Sequence, residues 1–409
     1  MLLLYNIGIR LYFFIIWLAS FFNEKAKLWL DGRNNQHTPA HNNSIWFHFA
    51  SLGEFEQGRP VLEQMRTRYP DNKVVITFFS PSGYEIRKDT PLADAVYYLP
   101  LDTAKNAREF IDTIKPRMAI FTKYEYWYHY FNELHQREIP LYVISAIFRP
   151  GQIFFKWYGG LQRKILGFVT MFFVQDSQSK QLLDGIGINN VIICGDTRFD
   201  RVWVNAQHPK SLPIIAEFKN NRQLFIAGST WPEDEKLLAT LTVKHPNRKF
   251  IIAPHEINEE KIAKLVSLLP AESVIRYSKI SNLKSQISNL NILVIDNIGM
   301  LSSLYKYGNI AYIGGGFGAG IHNTLEAAAF GMPVIFGPNY SKFKEAKDLV
   351  ALKAGFSIND ERELAGITET LIEDEAFYNA ASKKAKNYVE ENTGATKTII
   401  DYIQSTSVS

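Results

Sequence analysis

Two carboxylates and one glycine-rich run have the types and spacings that could do chemistry in this chain. The run Gly314 to Pro338, GGGFGAGIHNTLEAAAFGMPVIFGP, follows an apolar strand-like stretch, Ile310 to Ile313, and leads into Asn323-Thr324-Leu325-Glu326 at the start of an alanine-rich helix. Glycines let a backbone approach an anion closely, and a helix start offers unpaired N–H groups and a positive dipole end, so this turn is expected to grip a phosphate. Glu326, one turn into the helix, suits ribose hydroxyls. The first carboxylate is Glu54, where the apolar run Ile45 to Ala50 ends in Ser51-Leu52-Gly53-Glu54. It is expected to project from a tight glycine turn at the mouth of a cleft, although Ser-x-x-Glu spacing equally describes a capping box that only satisfies a helix start. Glu125 has the same setting after the run Met118 to Phe121.

These residues need strands behind them, and the chain supplies strands alternating with helices. Ser44 to Ala50, Val74 to Phe79, Met118 to Phe121, Leu141 to Ala146, Met171 to Val174 and Val191 to Cys194 read as strands. Phe55 to Arg68, Ala104 to Ile114 and a stretch near Lys156 to Leu166 read as helices between them. A polar, proline-bearing passage, Asn205 to Leu212, reads as a linker. Beyond it Leu224 to Ala227, Phe250 to Ala253, Asn291 to Ile295, Ile310 to Ile313 and Val334 to Phe336 form a second series. The expected fold class is α/β, with two Rossmann-like domains facing across a cleft and ligands at the carboxyl ends of the strands. The expected domains are a membrane anchor over 1–23, an N-terminal domain over 24–208 and a C-terminal domain over 209–409, with the last helix free to pack back on the N-terminal one.

The first segment, Leu2 to Phe22, is almost wholly apolar and long enough for roughly 30 Å of hydrocarbon. Arg10 complicates a clean span, at a cost of about 2.5 to 3.5 kcal/mol in mid-helix. The segment lacks a basic leader and a small-residue cleavage site, and Lys25, Lys27 and Arg33 follow it, so it reads as an anchor with the body on the cytoplasmic side. Whether it spans or lies in the interface is left open. A single cysteine, Cys194, excludes an internal disulfide, a cysteine metal cluster and a thiol relay. A net charge of +4 favours an anionic surface such as inner-membrane lipid and does not argue for nucleic acid.

Taken in order, the motifs resemble those of the 3-deoxy-D-manno-octulosonic acid (Kdo) transferases of lipopolysaccharide synthesis. Ser51-Leu52-Gly53-Glu54 is similar to the family's Ser-x-Gly-Glu motif, and Tyr124-Glu125-Tyr126-Trp127 to its Thr-Glu-x-Trp segment. Gly195-Asp196-Thr197-Arg198-Phe199-Asp200 is similar to Gly-x-x-Lys/Arg-Phe-Asp, and Asp296 to Leu301 with His322 to Glu326 resembles its nucleotide-binding tail. The resemblance implies a GT-B glycosyltransferase that moves Kdo, with inversion, from CMP-Kdo to a lipid A precursor at the cytoplasmic face of the inner membrane, with no cofactor. It implies Glu54 as general base and Glu125 and Arg198 as stabilisers of the transition state. Contacts to CMP-Kdo map to Pro254, His255, Ile298, Gly299, Met300, Asn323, Thr324, Leu325 and Glu326. Ser229 and Thr230 could add hydroxyl contacts, or could instead cap the helix after Trp231; Glu125 and Arg198 could instead be ordinary ion pairs.

Several positions depart from the family pattern. His255 stands where arginine is usual, Met300 where an acid is usual, Lys123 for the first acid before Glu125, and Tyr128 for a proline. Ser145-Ala146-Ile147-Phe148-Arg149 replaces an Asn-Ala-Arg stretch, leaving the role of Arg149 open. No metal site is expected: His37 and His41 lie in a polar connector, His129 and His135 flank aromatic residues, and no metal-ligand spacing occurs. The other readings are a different GT-B nucleotide-sugar transferase or epimerase, and a non-catalytic membrane-associated nucleotide- or lipid-binding protein.

Overall fold

The computed structural model describes residues 1–36, 38–282 and 287–407. The chain divides into two compact units, Met1–Asp200 with Thr393–Ser409, and Arg201–Asn392. Each is built on one parallel sheet of seven strands.

In unit 1 the strands are β1 (Ser44–Phe49), β2 (Val74–Phe78), β3 (Ala95–Tyr98), β4 (Pro116–Thr122), β5 (Leu141–Ala146), β6 (Met171–Val174) and β7 (Val191–Ile193), in spatial order β3-β2-β1-β4-β5-β6-β7. The strands are near-continuous apolar runs because both faces are covered, as a doubly wound sheet requires. Along β1, Ile45, Phe47 and Phe49 enter one core while Trp46 enters the other. The helix after β1 spans Leu52–Arg68, with Ser51 as its N-cap accepting from Gly53 N–H at 3.2 Å. Gly53 and Glu54 therefore lie inside the first helical turn, not on a glycine turn ahead of it. The C-terminal helix, Ala395–Ser407, inserts Ile399, Ile400 and Ile403 into the core beside Phe47 and Phe55. Asp200 fixes the approach to that helix by accepting from Gly394 N–H, Thr396 N–H and the Thr396 hydroxyl.

Unit 2 contains β8 (Leu224–Thr230), β9 (Lys249–Pro254), β10 (Val274–Arg276), β11 (Ile292–Val294), β12 (Ile310–Ile313), β13 (Val334–Phe336) and β14 (Gly355–Ser357), in the order β10-β11-β9-β8-β12-β13-β14. The expected linker over Asn205 to Leu212 is partly helical, because the helix Thr197–Gln207 runs through its first residues. The stretch near Lys156 to Leu166 resolves into a short 3-10 turn, Ile153–Phe155, and a helix, Gly160–Leu166.

In both sheets the strand order reverses beside the first strand, at β1/β4 and at β8/β12. Open α/β sheets bind ligands outside the carboxyl ends of strands at such points.

The apolar N-terminal segment forms helix α1 (Leu2–Ala19), followed by α2 (Glu24–Asn35). Helix α1 is about 27 Å long, and one face is fastened to unit 1. Tyr5 donates its hydroxyl proton to the buried Asp102, and Asn6 pairs with His129 at 2.7 Å. Further along, the Tyr12 ring meets Trp29 and Phe79. The opposite face, Leu4, Ile7, Leu11, Phe14, Ile15 and Leu18, is exposed. The Met1 side chain reaches Gly160, close in sequence to Trp157, which is 90% exposed.

Candidate active site

Unit 1 brings its candidate carboxylates to the reversal point. Glu54 follows β1 and Glu125 follows β4, the strand beside it. The Ser51 hydroxyl donates to Glu54 Oε2, so the capping serine also orients this carboxylate. Glu125 is held on its Oε2 by the Trp127 indole N–H at 2.9 Å and by His48 Nε2 at 3.5 Å. Both donors land on one oxygen, so Oε1 is the freer acceptor. Glu125 also lines a cavity of about 280 Å³ with Tyr124, Tyr126, Trp127, Phe154 and, from α1, Tyr5.

His48 did not emerge from the sequence as a site residue. A lone histidine in an apolar strand reads as core, and its partner lies 77 residues away. It is fully buried, with Nδ1 at 2.8 Å from the Thr77 hydroxyl, which also accepts from the Trp46 indole at 2.8 Å. Burial pushes its pKa below the ordinary histidine value despite the hydrogen bond and charge of Glu125, so the ring is neutral at neutral pH. With the ring neutral, the Thr77 proton goes to Nδ1 at 2.8 Å rather than to the Phe47 carbonyl at 3.4 Å, and His48 Nε2–H donates to Glu125.

Arg198 opens the helix Thr197–Gln207 and chelates Asp196, with Nε and Nη2 each at 2.8 Å from Oδ2. Asp196 also accepts from Gln57 at 2.8 Å. Burial alone would raise the Asp196 carboxyl, but Arg198 and the bonds it makes outweigh that and hold it below the usual carboxylate range. An ion pair of this kind fits the structural alternative for Arg198, yet it also aims the guanidinium. The Tyr124 phenol, raised chiefly by burial, feels Arg149, Glu54, Arg198 and Asp196 together. Arg149 therefore shares the neighbourhood of the other three. Strain marks the same strand ends: Lys123 after β4 and Ser145 at the end of β5 have φ of 64° and 52°, a left-handed geometry costing on the order of 1–3 kcal/mol for such residues.

In unit 2 the glycine run does something other than expected. A Cβ on Gly314 would meet the Ser229 carbonyl oxygen at 2.3 Å, and one on Gly316 would meet Gly337 N at 2.5 Å. These glycines make room for the protein's own backbone. The Gly315 N–H, at φ 92°, is already given to Asp234 Oδ2 at 2.9 Å. The alanine-rich helix is a single turn, Leu325–Ala328. The expected phosphate-gripping helix start is thus corrected: a four-residue turn has little dipole, and the best-placed amide is taken.

Asp234 is the organiser that sequence reading missed. Nearly fully buried, it accepts from Trp231 N–H, Gly315 N–H and the Tyr312 hydroxyl, tying the ends of β8 and β12 together. Its signal was present as an Asp three residues after Trp231, a capping spacing. The N-cap is Trp231, not Ser229 or Thr230. Ser229 has φ 54°, and the buried Thr230 gives its hydroxyl proton to Glu235 at 3.2 Å. Only Ser229 retains an uncommitted side chain there.

The remaining candidates flank the same strand ends. Pro254 ends β9 and His255 follows it, its N–H bonded to Thr230 O at 3.0 Å. Ile298 is 90% exposed, Gly299 has φ 91°, and the Met300 sulfur meets the Asn297 amide at 3.0 Å. Asn323 bonds both Leu325 N–H and Glu326 Oε1. Leu325 is fully buried and so can offer a ligand only backbone, whereas the buried Thr324 hydroxyl has no partner. Among the described residues no group of His, Cys, Asp or Glu is arranged to hold a metal ion; His37 lies outside them.

Three comparisons extend this geometry. Residues 23–201 match the family model described as 3-deoxy-D-manno-octulosonic-acid transferase (kdotransferase). The chain is 28% identical over 375 residues to the 3-deoxy-D-manno-octulosonic acid transferase of Haemophilus influenzae, covering 88% of this chain and 86% of that one. It is 28% identical over 376 residues to the enzyme of that name from Rickettsia felis, covering 88% and 78%. Among solved structures it resembles the UDP-GlcNAc 2-epimerase of Neisseria meningitidis, with TM-score 0.63 and 17% identity over 88% of this chain and 100% of that one. It also resembles Acinetobacter baumannii MurG, with TM-score 0.54 and 12% identity over 90% and 100%. The latter two bear on the GT-B fold alone.

Proposed function

We propose, from the premise that this chain is a glycosyltransferase related to the Kdo transferases, that it moves Kdo with inversion from CMP-Kdo to a lipid A precursor at the cytoplasmic face of the inner membrane. The acceptor is a sugar hydroxyl of the lipid. Its oxygen bonds to the anomeric carbon of Kdo as the bond from that carbon to the CMP phosphate breaks, and the electron pair leaves with CMP. Glu54 takes the hydroxyl proton, with the Ser51 hydroxyl fixing which oxygen faces the acceptor. A base so placed typically contributes ~10² to 10⁴-fold.

Glu125 and Arg198 oppose the two charges that develop. A carboxylate held by His48 and Trp127 presents its free oxygen to the oxocarbenium character at the Kdo ring. The Arg198 guanidinium, stiffened by Asp196, favours the departing phosphate or the Kdo carboxylate. In unit 2, Ser229, Pro254, His255, the Ile298–Met300 turn and Asn323 to Glu326 hold CMP-Kdo. Thr230 and Leu325 contribute through backbone.

Helix α1 seats the enzyme on the bilayer. Its polar inner contacts, Tyr5 to Asp102 and Asn6 to His129, favour a helix lying in the interface over one crossing it, since crossing would strip the buried Asp102 of a donor. The exposed apolar face enters lipid and the exposed Lys25 and Lys27 meet anionic headgroups, whereas Arg33 is turned inward onto the carbonyls of Leu99, Trp29 and Phe79.

The observation that carries this reading is the pairing of Glu54 and Glu125 at adjoining strand ends, with Glu125 lining a cavity that Tyr5 of the membrane-seating helix also lines. The test is purified protein given CMP-Kdo and lipid A precursor, with products weighed by mass spectrometry and CMP competed against UDP for binding. Addition of Kdo mass and preference for CMP are expected. Preference for UDP with no Kdo addition would replace this reading with a UDP-sugar enzyme.

A further inference from the structure

Three rings, of which the proposed reaction uses only His255, stand at the carboxyl ends of the neighbouring strands β9, β8 and β12. Trp231 follows β8, His255 follows β9 and His322 follows β12. The Trp231 and His322 rings are nearly coplanar, 7° apart, and the indole Nε1–H donates to His322 Nε2 at 3.0 Å. His255 stacks against both, with centroids 4.9 Å from Trp231 and 4.3 Å from His322.

The hydrogen bond has one possible direction. An indole nitrogen only donates, so His322 Nε2 must be the bare, accepting nitrogen, and the ring proton sits on Nδ1. Protonating His322 would set two N–H groups against each other and place a cation in a partly buried stack. In keeping with that, burial and the neighbouring His255 bring its pKa down to about 4, and burial lowers that of His255 as well. The Cδ2 side of the His322 ring faces Gly315, at 3.2 Å from where a Cβ would stand. The Nδ1 side is turned away from both the indole and the glycine run. Among the described residues no protein acceptor takes the Nδ1–H, and the atom is not sealed in the interior.

We infer that Trp231 locks His322 as a neutral Nδ1–H donor, and that this donor takes an acceptor oxygen of the single phosphate of the nucleotide-sugar donor, a diester before transfer and the CMP monoester after it. The assignment rests on the proposed CMP-sugar chemistry. It differs from the phosphate grip expected of the glycine run, because the donor is a side chain of fixed tautomer rather than a helix start. His255, itself exposed, covers one face of the coplanar pair and contributes no charge while neutral. A neutral donor suits an enzyme that must release CMP after transfer, since a permanent cation would hold the dianion more tightly.

Histidine-labelled protein and ¹⁵N-detected NMR read the tautomer directly, with the His322 signals identified by their loss in His322→Asn. The expected result is a bare Nε2 and a protonated Nδ1 at neutral pH, shifting toward a tautomer mixture in Trp231→Phe. Calorimetry with CMP supplies the second readout. His322→Phe is expected to weaken CMP binding by about tenfold to a hundredfold. His322→Asn, whose amide N–H can replace Nδ1–H, should keep more affinity than His322→Gln, whose amide reaches the Nε2 position instead. Circular dichroism excludes unfolding as the cause. A protonated Nε2 in the wild type overturns the lock, and undiminished CMP affinity in His322→Phe overturns the contact. A wild type that binds no CMP overturns the donor reading on which the contact rests, and the tautomer result then judges the lock alone.

Discussion

At the carboxyl ends of β1 and β4 the chain displays two carboxylates, Glu54 held by Ser51 and Glu125 by Trp127 and His48; at those of β8 and β12 it displays neutral rings and a serine on a strained backbone. The sheets differ in order on one side, β3-β2-β1 against β10-β11-β9-β8, but both reverse beside their first strand, so topology at the reversal point does not explain the difference. What differs is how each unit treats charge. Unit 1 keeps charges and neutralises them locally, with Asp196 chelated by Arg198 and Glu125 donated to by Trp127. Unit 2 commits the buried carboxylate of Asp234 to three protein donors and sets neutral rings and Ser229 at its strand ends, with Glu326 the charged group among its proposed donor contacts. A place where protons and charge must move needs ionised groups in fixed orientation. A place that must bind and release an anion can work with neutral donors.

This contrast can be broken at either end, and the largest effect is expected in unit 1. Glu125→Gln should lower kcat by about a hundredfold while CMP affinity stays within a few-fold, as single-turnover kinetics and calorimetry would read. Equal losses in binding and turnover would erase the division between the units. Next is His48, which positions Glu125 through Nε2. His48→Phe should lower kcat by roughly tenfold or more, and His48→Gln, whose amide can reach Glu125, should recover part of it; a loss that His48→Gln does not relieve would make His48 a packing residue only.

A third effect concerns pH. Folded His322 titrates near 4 against an ordinary value of 6.5, so between those values the unfolded chain binds a proton that the folded chain refuses. Stability contributed by the neutral ring is complete above about pH 6.5 and is lost as pH falls toward 4. Thermal melts across that window should fall more steeply in the wild type than in His322→Asn, and parallel curves would remove His322 as a source. The smallest effect is at α1. Replacing Leu4, Ile7 and Leu11 with serine should reduce sedimentation with anionic vesicles while leaving the melting temperature nearly unchanged, because these side chains face outward; a large drop in melting temperature would mean that they pack against protein.

Much of the fold was legible because strands buried on both faces write themselves as apolar runs. Leu141–Ala146, Met171–Val174, Ile310–Ile313 and Val334–Phe336 have the bounds their sequences suggest. The strands β3, β10 and β14, each three or four residues at a sheet edge, were not read, whereas the equally short edge strand β7 was, because its run Val191–Ile193 is wholly aliphatic. Sequence marks where Glu54 and Glu125 stand and, through the Ser-x-x-Glu spacing, that Ser51 is within reach of Glu54; it does not show what holds Glu125, because His48 is 77 residues away. The glycine run misled for a physical reason. A glycine that makes room for a ligand and one that makes room for Ser229 or Gly337 look alike until the neighbouring chain is in place.

The central claim is that unit 1 reacts and unit 2 binds, and Glu54→Gln tests it most directly. One titration of CMP and one single-turnover experiment with CMP-Kdo and lipid A precursor, on the same folded variant, measure both halves together. The expected outcome is CMP affinity within a few-fold of the wild type and transfer slowed by ~10² to 10⁴-fold. Transfer at the wild-type rate would contradict the account, because it would leave the carboxylate beside Ser51 without a part in the chemistry.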